Sequence, residues 1–335
     1  MNQGCRPERS SRSERSRRIS TFGPGISLTL ILLCAALLFS TTARAQTAPK
    51  PDRKQFIIID SDIGDDIDDA FALALAERTP QARILGITTA FGDTTLRAQL
   101  TLRFLAATDH AEIPVAAGVP TLPKTKFTQS VYAQGGDKSK ILPISGPDFL
   151  LDQIRKHPGQ ITLIAIGPQT NLGAAIDKDP ATFRKLKRIV MMGGSVDRGY
   201  GKPYAEPEWN IVCDIPAARK VFASGVPIYM MPLDATILKF DAARLDSLFS
   251  RNTPLTQQLQ ALYNEWGQKT PTLFDPMAVA YAAQPSLCPT TPLHLIVDDK
   301  GNTVRSPGAP NVNACLNSNP GTFFDYYLSR TSASR

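Results

Sequence analysis

Six aspartates fall within ten residues of this chain: Asp60, Asp62, Asp65, Asp66, Asp68 and Asp69. They follow a β-branched apolar run at 56–59 and precede the apolar segment that opens at Ala70. Carboxylates packed this closely repel one another unless protons or a cation intervene. Capping the helix that follows would use one or two of them, because free N–H groups at a helix start favour negative charge. That leaves Asp60 and Asp62 over. With no histidine or cysteine nearby the ligands would be oxygens only, which suits Ca²⁺ or Mg²⁺.

An EF-hand loop beginning at Asp60 fails, since Gly64 and Phe71 stand where an acidic ligand and the closing glutamate belong. An Asp-x-Asp after a strand is also how a Mg²⁺-dependent aspartyl-phosphate phosphatase begins, with the carboxylate as nucleophile. That enzyme is an alternative reading, and a non-catalytic nucleoside- or sugar-binding protein is another. Of the three histidines, His110, His157 and His294, none neighbours a second catalytic group, which disfavours a histidine triad. The absence of a CxxC pair disfavours zinc.

The elements that must position these carboxylates alternate between two periods. Strand-like runs at 56–59, 84–89, 161–166, 189–192 and 227–231 are separated by amphipathic segments such as 70–78, 95–107, 149–156 and 217–224. Such alternation predicts an α/β fold with a largely parallel sheet, in which ligands bind beyond the carboxyl ends of the strands. The polar stretch 120–147 reads as a long loop, and the proline-rich last forty residues as irregular or edge strand.

The 335 residues carry a formal net charge of +7, which invites a nucleic-acid reading. The charge is concentrated at the start. Six arginines precede an apolar stretch at 26–39 and an Ala43-Arg44-Ala45 site, the pattern of a secretory signal peptide over 1–45. The apolar stretch is too short for a stable membrane anchor, which needs ~20 residues. Cleavage would remove seven of the 37 basic and two of the 30 acidic side chains, leaving a net charge of +2 and no basic run for a nucleic-acid partner. A linker at 46–53 and one domain at 54–335 would remain, exported to the periplasm or secreted. In that oxidising setting Cys288 and Cys315 could pair, leaving Cys213 over.

Asp60-Ser-Asp62-Ile-Gly64 and Asp68-Asp69-Ala70 resemble the two halves of the signature of the inosine–uridine nucleoside hydrolases, with two extra residues between them. Further segments resemble family landmarks in order: 85–93, 113–118, 164–172, 190–194, Glu208-Trp209-Asn210 and Phe274-Asp275-Pro276. The resemblance implies a Rossmann-like domain that hydrolyses the N-glycosidic bond of a ribonucleoside, releasing ribose and base for salvage. It further implies Ca²⁺, with Mg²⁺ second, and a homodimer or homotetramer. Carried over position by position, Asp62, Asp69, Asp275 and the backbone carbonyl of Ile166 would hold the ion, and Asp62 would act as general base toward a metal-bound water. Asp68, Asp93, Glu208 and Asn210 would bind ribose hydroxyls, with Asp60 in support. The chemistry is coherent, since loss of the base builds oxocarbenium character that carboxylates stabilise.

Three departures qualify this picture. The two extra residues leave open whether Asp65 or Asp66 substitutes at the ion, because shifting a helix start by two residues rotates it by about 200°. The second-strand turn carries Asp93 where the family usually has asparagine, which places a carboxylate beside the ribose or the ion. Phe274 stands where base-unspecific members carry a histidine. A phenyl ring donates no proton but can stack on a base, so Phe274, with Trp209 or Tyr200, points toward a stacked purine. Trp266 reads as ordinary packing. The region 134–138 lacks the family's His-Gly loop, so the lid over the base is not legible.

Overall fold

The computed structural model describes residues 54–333. The expected leader at 1–45 and the linker at 46–53 lie outside them. Strand β1 (Gln55–Ser61) occupies the middle of an eight-stranded sheet ordered β3-β2-β1-β4-β5-β6-β10-β7. The other strands are β2 (Ala82–Thr89), β3 (Val115–Ala117), β4 (Ile161–Ala165), β5 (Arg188–Met192), β6 (Ile228–Met231), β7 (Thr291–Leu293) and β10 (Val312–Ala314). All pairings are parallel except β7 against β10. A separate antiparallel hairpin joins β8 (Leu295–Val297) to β9 (Thr303–Arg305).

The central strands are apolar on both faces because helices cover both. One core packs Ile57, Ile59 and Ile164 against α1 (Asp68–Glu77), α2 (Thr94–Ala107) and later helices described below. The other packs Ile58, Leu163 and Ile189 against α3 (Gly146–Lys156) and its neighbours. The Rossmann-like α/β architecture is therefore present. Its order reverses at β1, flanked by β2 on one side and β4 on the other, which opens a crevice at their carboxyl ends. Ile166 N–H donates to Asp60 O at 2.8 Å, so the segments leaving β1 and β4 run side by side into that crevice.

Helix α1 begins at Asp68. The two extra residues are absorbed in the loop 62–67, and the helix start is not shifted onto Asp65 or Asp66. At the other end of the chain the structure departs from the expected irregular tail. Short strands are present, but Pro320–Thr331 forms a helix capped by the Asn319 side chain, which accepts the Thr322 N–H. Pro320 sits in its first turn, where a missing N–H costs nothing, and Phe323, Phe324 and Tyr327 are buried beneath it. Cys288 and Cys315 form a disulfide with Cα atoms 5.6 Å apart, tying the segment before β7 to the end of β10. The expected long loop 120–147 contains a short helix (Ser130–Gln134) and ends in the first turn of α3.

Candidate active site

Each aspartate of the cluster has a distinct environment. Asp60 is fully buried at the end of β1, where its Oδ1 accepts the Thr88 hydroxyl and, at 2.7 Å, the Asn171 amide. Asn171 opens α4 (Thr170–Lys178) and also donates to Thr89 O at 3.0 Å. Asp60 therefore fastens β1 to β2 and α4. A nucleophilic Asp60, as the phosphatase alternative requires, would have to reach substrate from a position that does not line the cavity.

Asp62 lies beside Gly167, where a Cβ would approach its backbone nitrogen to 2.9 Å. The fully buried Arg97 of α2 holds this turn: its guanidinium donates to the carbonyls of Asp62 and of Ile63 (3.0 Å), to Phe91 O (2.7 Å) and to Asp65 Oδ2 (2.9 Å). Asp65 is thereby neutralised and also accepts the Thr125 hydroxyl. The segment 121–129 lies across the turn as a strap, with Thr128 donating to Asp65 O at 2.7 Å and Gln129 to Asp66 O at 2.7 Å. Gly64 adopts φ +127° under this strap, and a Cβ there would meet the Phe127 ring at 2.3 Å, so no other residue fits.

Asp68 and Asp69 occupy the first turn of α1, and Asp275 precedes the helix Pro276–Ala283, whose chain entry brings Asp275 N–H to Asp68 Oδ2 at 3.3 Å. One carboxylate oxygen from each of the three lies within 4.8 Å of the others, and all three are buried. Burial, and then repulsion from neighbouring carboxylates of the aspartate cluster, push all three carboxyls well above the usual range. Ser61 donates to Asp69 at 2.6 Å. The charges that act most strongly on Asp68 and Asp275 are those of other carboxylates in the cluster. Such a donor set can hold a metal ion, and its oxygen chemistry is that of a hard cation.

The placement differs from the expected ligand set in one respect. Asp68, expected on ribose, joins Asp69 and Asp275 because its carboxylate is drawn to the Asp275 amide. Asp62 adjoins this triplet in the same cavity of about 390 Å³, which Ile166 also lines. Burial raises the Asp62 carboxyl to about 7 against the opposing pull of Arg97, and the Trp209 side chain lies close enough to help stabilise its charge.

Glu208 caps the short helix α5 (Trp209–Val212), accepting Asn210 N–H at 2.9 Å and Gly194 N–H at 2.8 Å. Burial lifts its carboxyl to about 7. Asn210 donates to Met192 O at 3.2 Å and Ile166 O at 3.4 Å, which leaves its carbonyl oxygen out of both bonds. Both residues line the cavity. Asp93 does not. It is exposed and caps α2 by accepting Leu96 N–H at 2.9 Å, so its proximity to the site in sequence is not proximity in space.

The far end of the cavity is aromatic. Phe274 meets Tyr200 edge to face at 6.1 Å, and the Tyr200 hydroxyl accepts the Trp209 backbone N–H at 3.1 Å. Trp209 packs edge-on to Phe91 at 5.9 Å. Trp266 ends the helix α6 (Pro254–Trp266) and, besides packing in the core, forms part of the cavity wall, contrary to the packing-only expectation. Arg97 and the strap residues Thr125 and Thr128 were also missed. The only signal for them was indirect, since two extra aspartates demanded partners that local sequence did not supply.

A sheet-end crevice lined by carboxylates on a Rossmann-like scaffold defines the class as an α/β enzyme with an acidic site. The family of inosine-uridine preferring nucleoside hydrolases matches residues 57–325, and the chain belongs to it. It is thus a ribonucleoside hydrolase, an N-glycosyl hydrolase. The pyrimidine-specific ribonucleoside hydrolase RihA of Enterobacter sp. (strain 638) is 30% identical over 79% of this chain and 91% of its own length. A probable uridine nucleosidase 2 of Arabidopsis thaliana is 34% identical over 70% of this chain and 79% of its own. Among solved structures, a plant nucleoside hydrolase superposes with a TM-score of 0.75 at 26% identity, covering 84% of this chain and 99% of that one.

Proposed function

We propose that this protein hydrolyses ribonucleosides with Asp62 as general base and Ca²⁺ as the resident cation. The observation that carries the reading is the buried triplet of Asp68, Asp69 and Asp275 adjoining Asp62 in a cavity that also presents Glu208 and Asn210. The triplet, with the Ile166 carbonyl and Asp62 at its edge, would hold the ion. When bound, such a cation offsets the carboxylate repulsion and acidifies a water. Asp62 would accept a proton from the attacking water as its oxygen bonds to C1′ and the C1′–N bond breaks; the electron pair leaves with the base, which takes its proton from solvent, and Asp62 returns its own proton to solvent. The surrounding carboxylates favour the positive charge that builds on the ribose. Glu208 and Asn210 orient the sugar hydroxyls, and Phe274 with Tyr200 provides apolar surface for the base.

Export is part of this proposal, supported by the arginine-rich, then apolar, start of the chain and by the Cys288–Cys315 disulfide. Assembly into a homodimer or homotetramer is proposed on family membership alone. The test is release of reducing sugar from a panel of inosine, adenosine, uridine and cytidine, with EDTA and then with Ca²⁺ or Mg²⁺ restored. Asp62→Asn is expected to lose about 100-fold or more in kcat. Full activity in that variant would overturn the general-base role. Ligand-induced stabilisation without sugar release would instead identify a binding protein.

A further inference from the structure

The segment 193–208 leads from β5 to Glu208 without a helix or strand of its own, so its course depends on what grips it. Its root is held by the step that follows β6. Leu233 N–H donates to Gly194 O at 2.9 Å, and the buried Asp234 carboxylate accepts three successive N–H groups: Val196 at 2.8 Å on Oδ2, and Asp197 at 2.7 Å and Arg198 at 3.1 Å on Oδ1. Thr303 of β9 adds a reciprocal pair, accepting Ser195 N–H at 2.9 Å and donating to Ser195 O at 2.6 Å. The tip has a separate brace, since Glu206 accepts Tyr200 N–H at 2.9 Å and pairs with Lys202.

Asp234 lines a groove with Arg198, Ile237 and Asn317, separate from the acidic cavity. Its influence reaches the cavity through Gly194. The carbonyl of Gly194 is fixed by Leu233, while its N–H donates to Glu208 Oε2 at 2.8 Å. Freeing 196–198 would let Gly194 shift, and with it a donor that fixes the Glu208 carboxylate. A carboxylate suits this root because successive N–H groups form an anion-binding concavity. An amide in its place would turn an NH2 against at least one of the three N–H groups.

We propose that Asp234 is a positioning residue for the hydrolytic site: by holding the root of the 193–208 segment it places Glu208 in the cavity without touching substrate. The proposal rests on the hydrolase reading above, in which Glu208 orients the sugar.

The experiment measures kcat/KM for inosine and uridine with the full-length protein in Ca²⁺, as wild type, Asp234→Asn, Glu208→Gln and the double variant, each assayed below its thermal transition. Asp234→Asn should lose about tenfold or more, because small displacements of a substrate-positioning group carry costs of that order. With Glu208→Gln already present, the same change should cost less than about threefold, since the group it places no longer contributes. Losses that multiply, or an Asp234→Asn protein within about twofold of wild type, would overturn the positioning role and leave the hydrolase reading intact. If Asp234→Asn does not fold, Ser195→Ala cuts the same root, where Ser195 Oγ donates to Arg198 O at 2.7 Å and accepts Glu206 N–H at 2.9 Å. A loss seen in the wild type and absent in Glu208→Gln supports the role, and a loss that multiplies, or none at all, overturns it. Sugar release from neither nucleoside by the wild type would overturn the hydrolase reading and this proposal with it.

Discussion

Stripped of divalent cations, the domain should lose stability as the pH rises from 5 to 8. Burial raises Asp62 from 3.8 to about 7 and Glu208 from 4.5 to about 7. Both hold a proton more tightly in the fold than in the unfolded chain. Their contribution is therefore complete below the unfolded values and is lost as the pH climbs through the folded ones. At about 1.4 kcal/mol per pKa unit, each loses between about 2 and 3 kcal/mol across this window, together about 5 kcal/mol. With an unfolding entropy of about 2.1 cal/mol/K per residue over a domain of this size, that corresponds to a fall in Tm of about 8 °C. Asp60, raised to about 6, and the Asp68, Asp69 and Asp275 triplet add shifts of the same sign. Exposed groups with lowered values, such as Asp179 at about 2, lose their contribution only in more acidic solution. The assay is thermal unfolding of EDTA-treated protein at pH 5, 6, 7 and 8, repeated in saturating Ca²⁺. Calcium should flatten or reverse the slope, because it binds the ionised carboxylates. A Tm in EDTA that stays level or rises between pH 5 and 8 would refute the reasoning.

Two further outcomes follow from the geometry. Cys288→Ser should lower Tm by about 6 °C, since releasing a loop of 27 residues returns about 3.5 kcal/mol of chain entropy; an unchanged Tm in oxidising buffer would show that the bridge carries no stability. Asp93→Ala should cost about 1 kcal/mol of stability through the lost α2 cap, with kcat/KM within about twofold of wild type; a 100-fold loss of activity would return Asp93 to the site.

The legibility of the site followed the distance over which its parts communicate. The aspartate run was visible because a strand, a turn and a helix start fall within fourteen residues, from Phe56 to Asp69, and their chemistry is local. Asp275 became visible only through family resemblance, since no local pattern announces that a carboxylate 206 residues after Asp69 lies within 4.8 Å of it. The terminal helix was obscured by Pro320, which reads as a breaker unless the Asn319 cap is recognised as its N-terminus.

By itself the sequence determined the α/β alternation, the carboxylate chemistry and the family, because these depend on residue type and order along the chain. Tertiary structure decided how the six aspartates divide their work. Asp60 braces three elements, Asp65 is neutralised by an arginine 32 residues away, Asp66 faces the cavity, and Asp68 turns toward Asp275. The physical reason is that a carboxylate's role is set by its partners and its burial, and both come from elements distant in the chain.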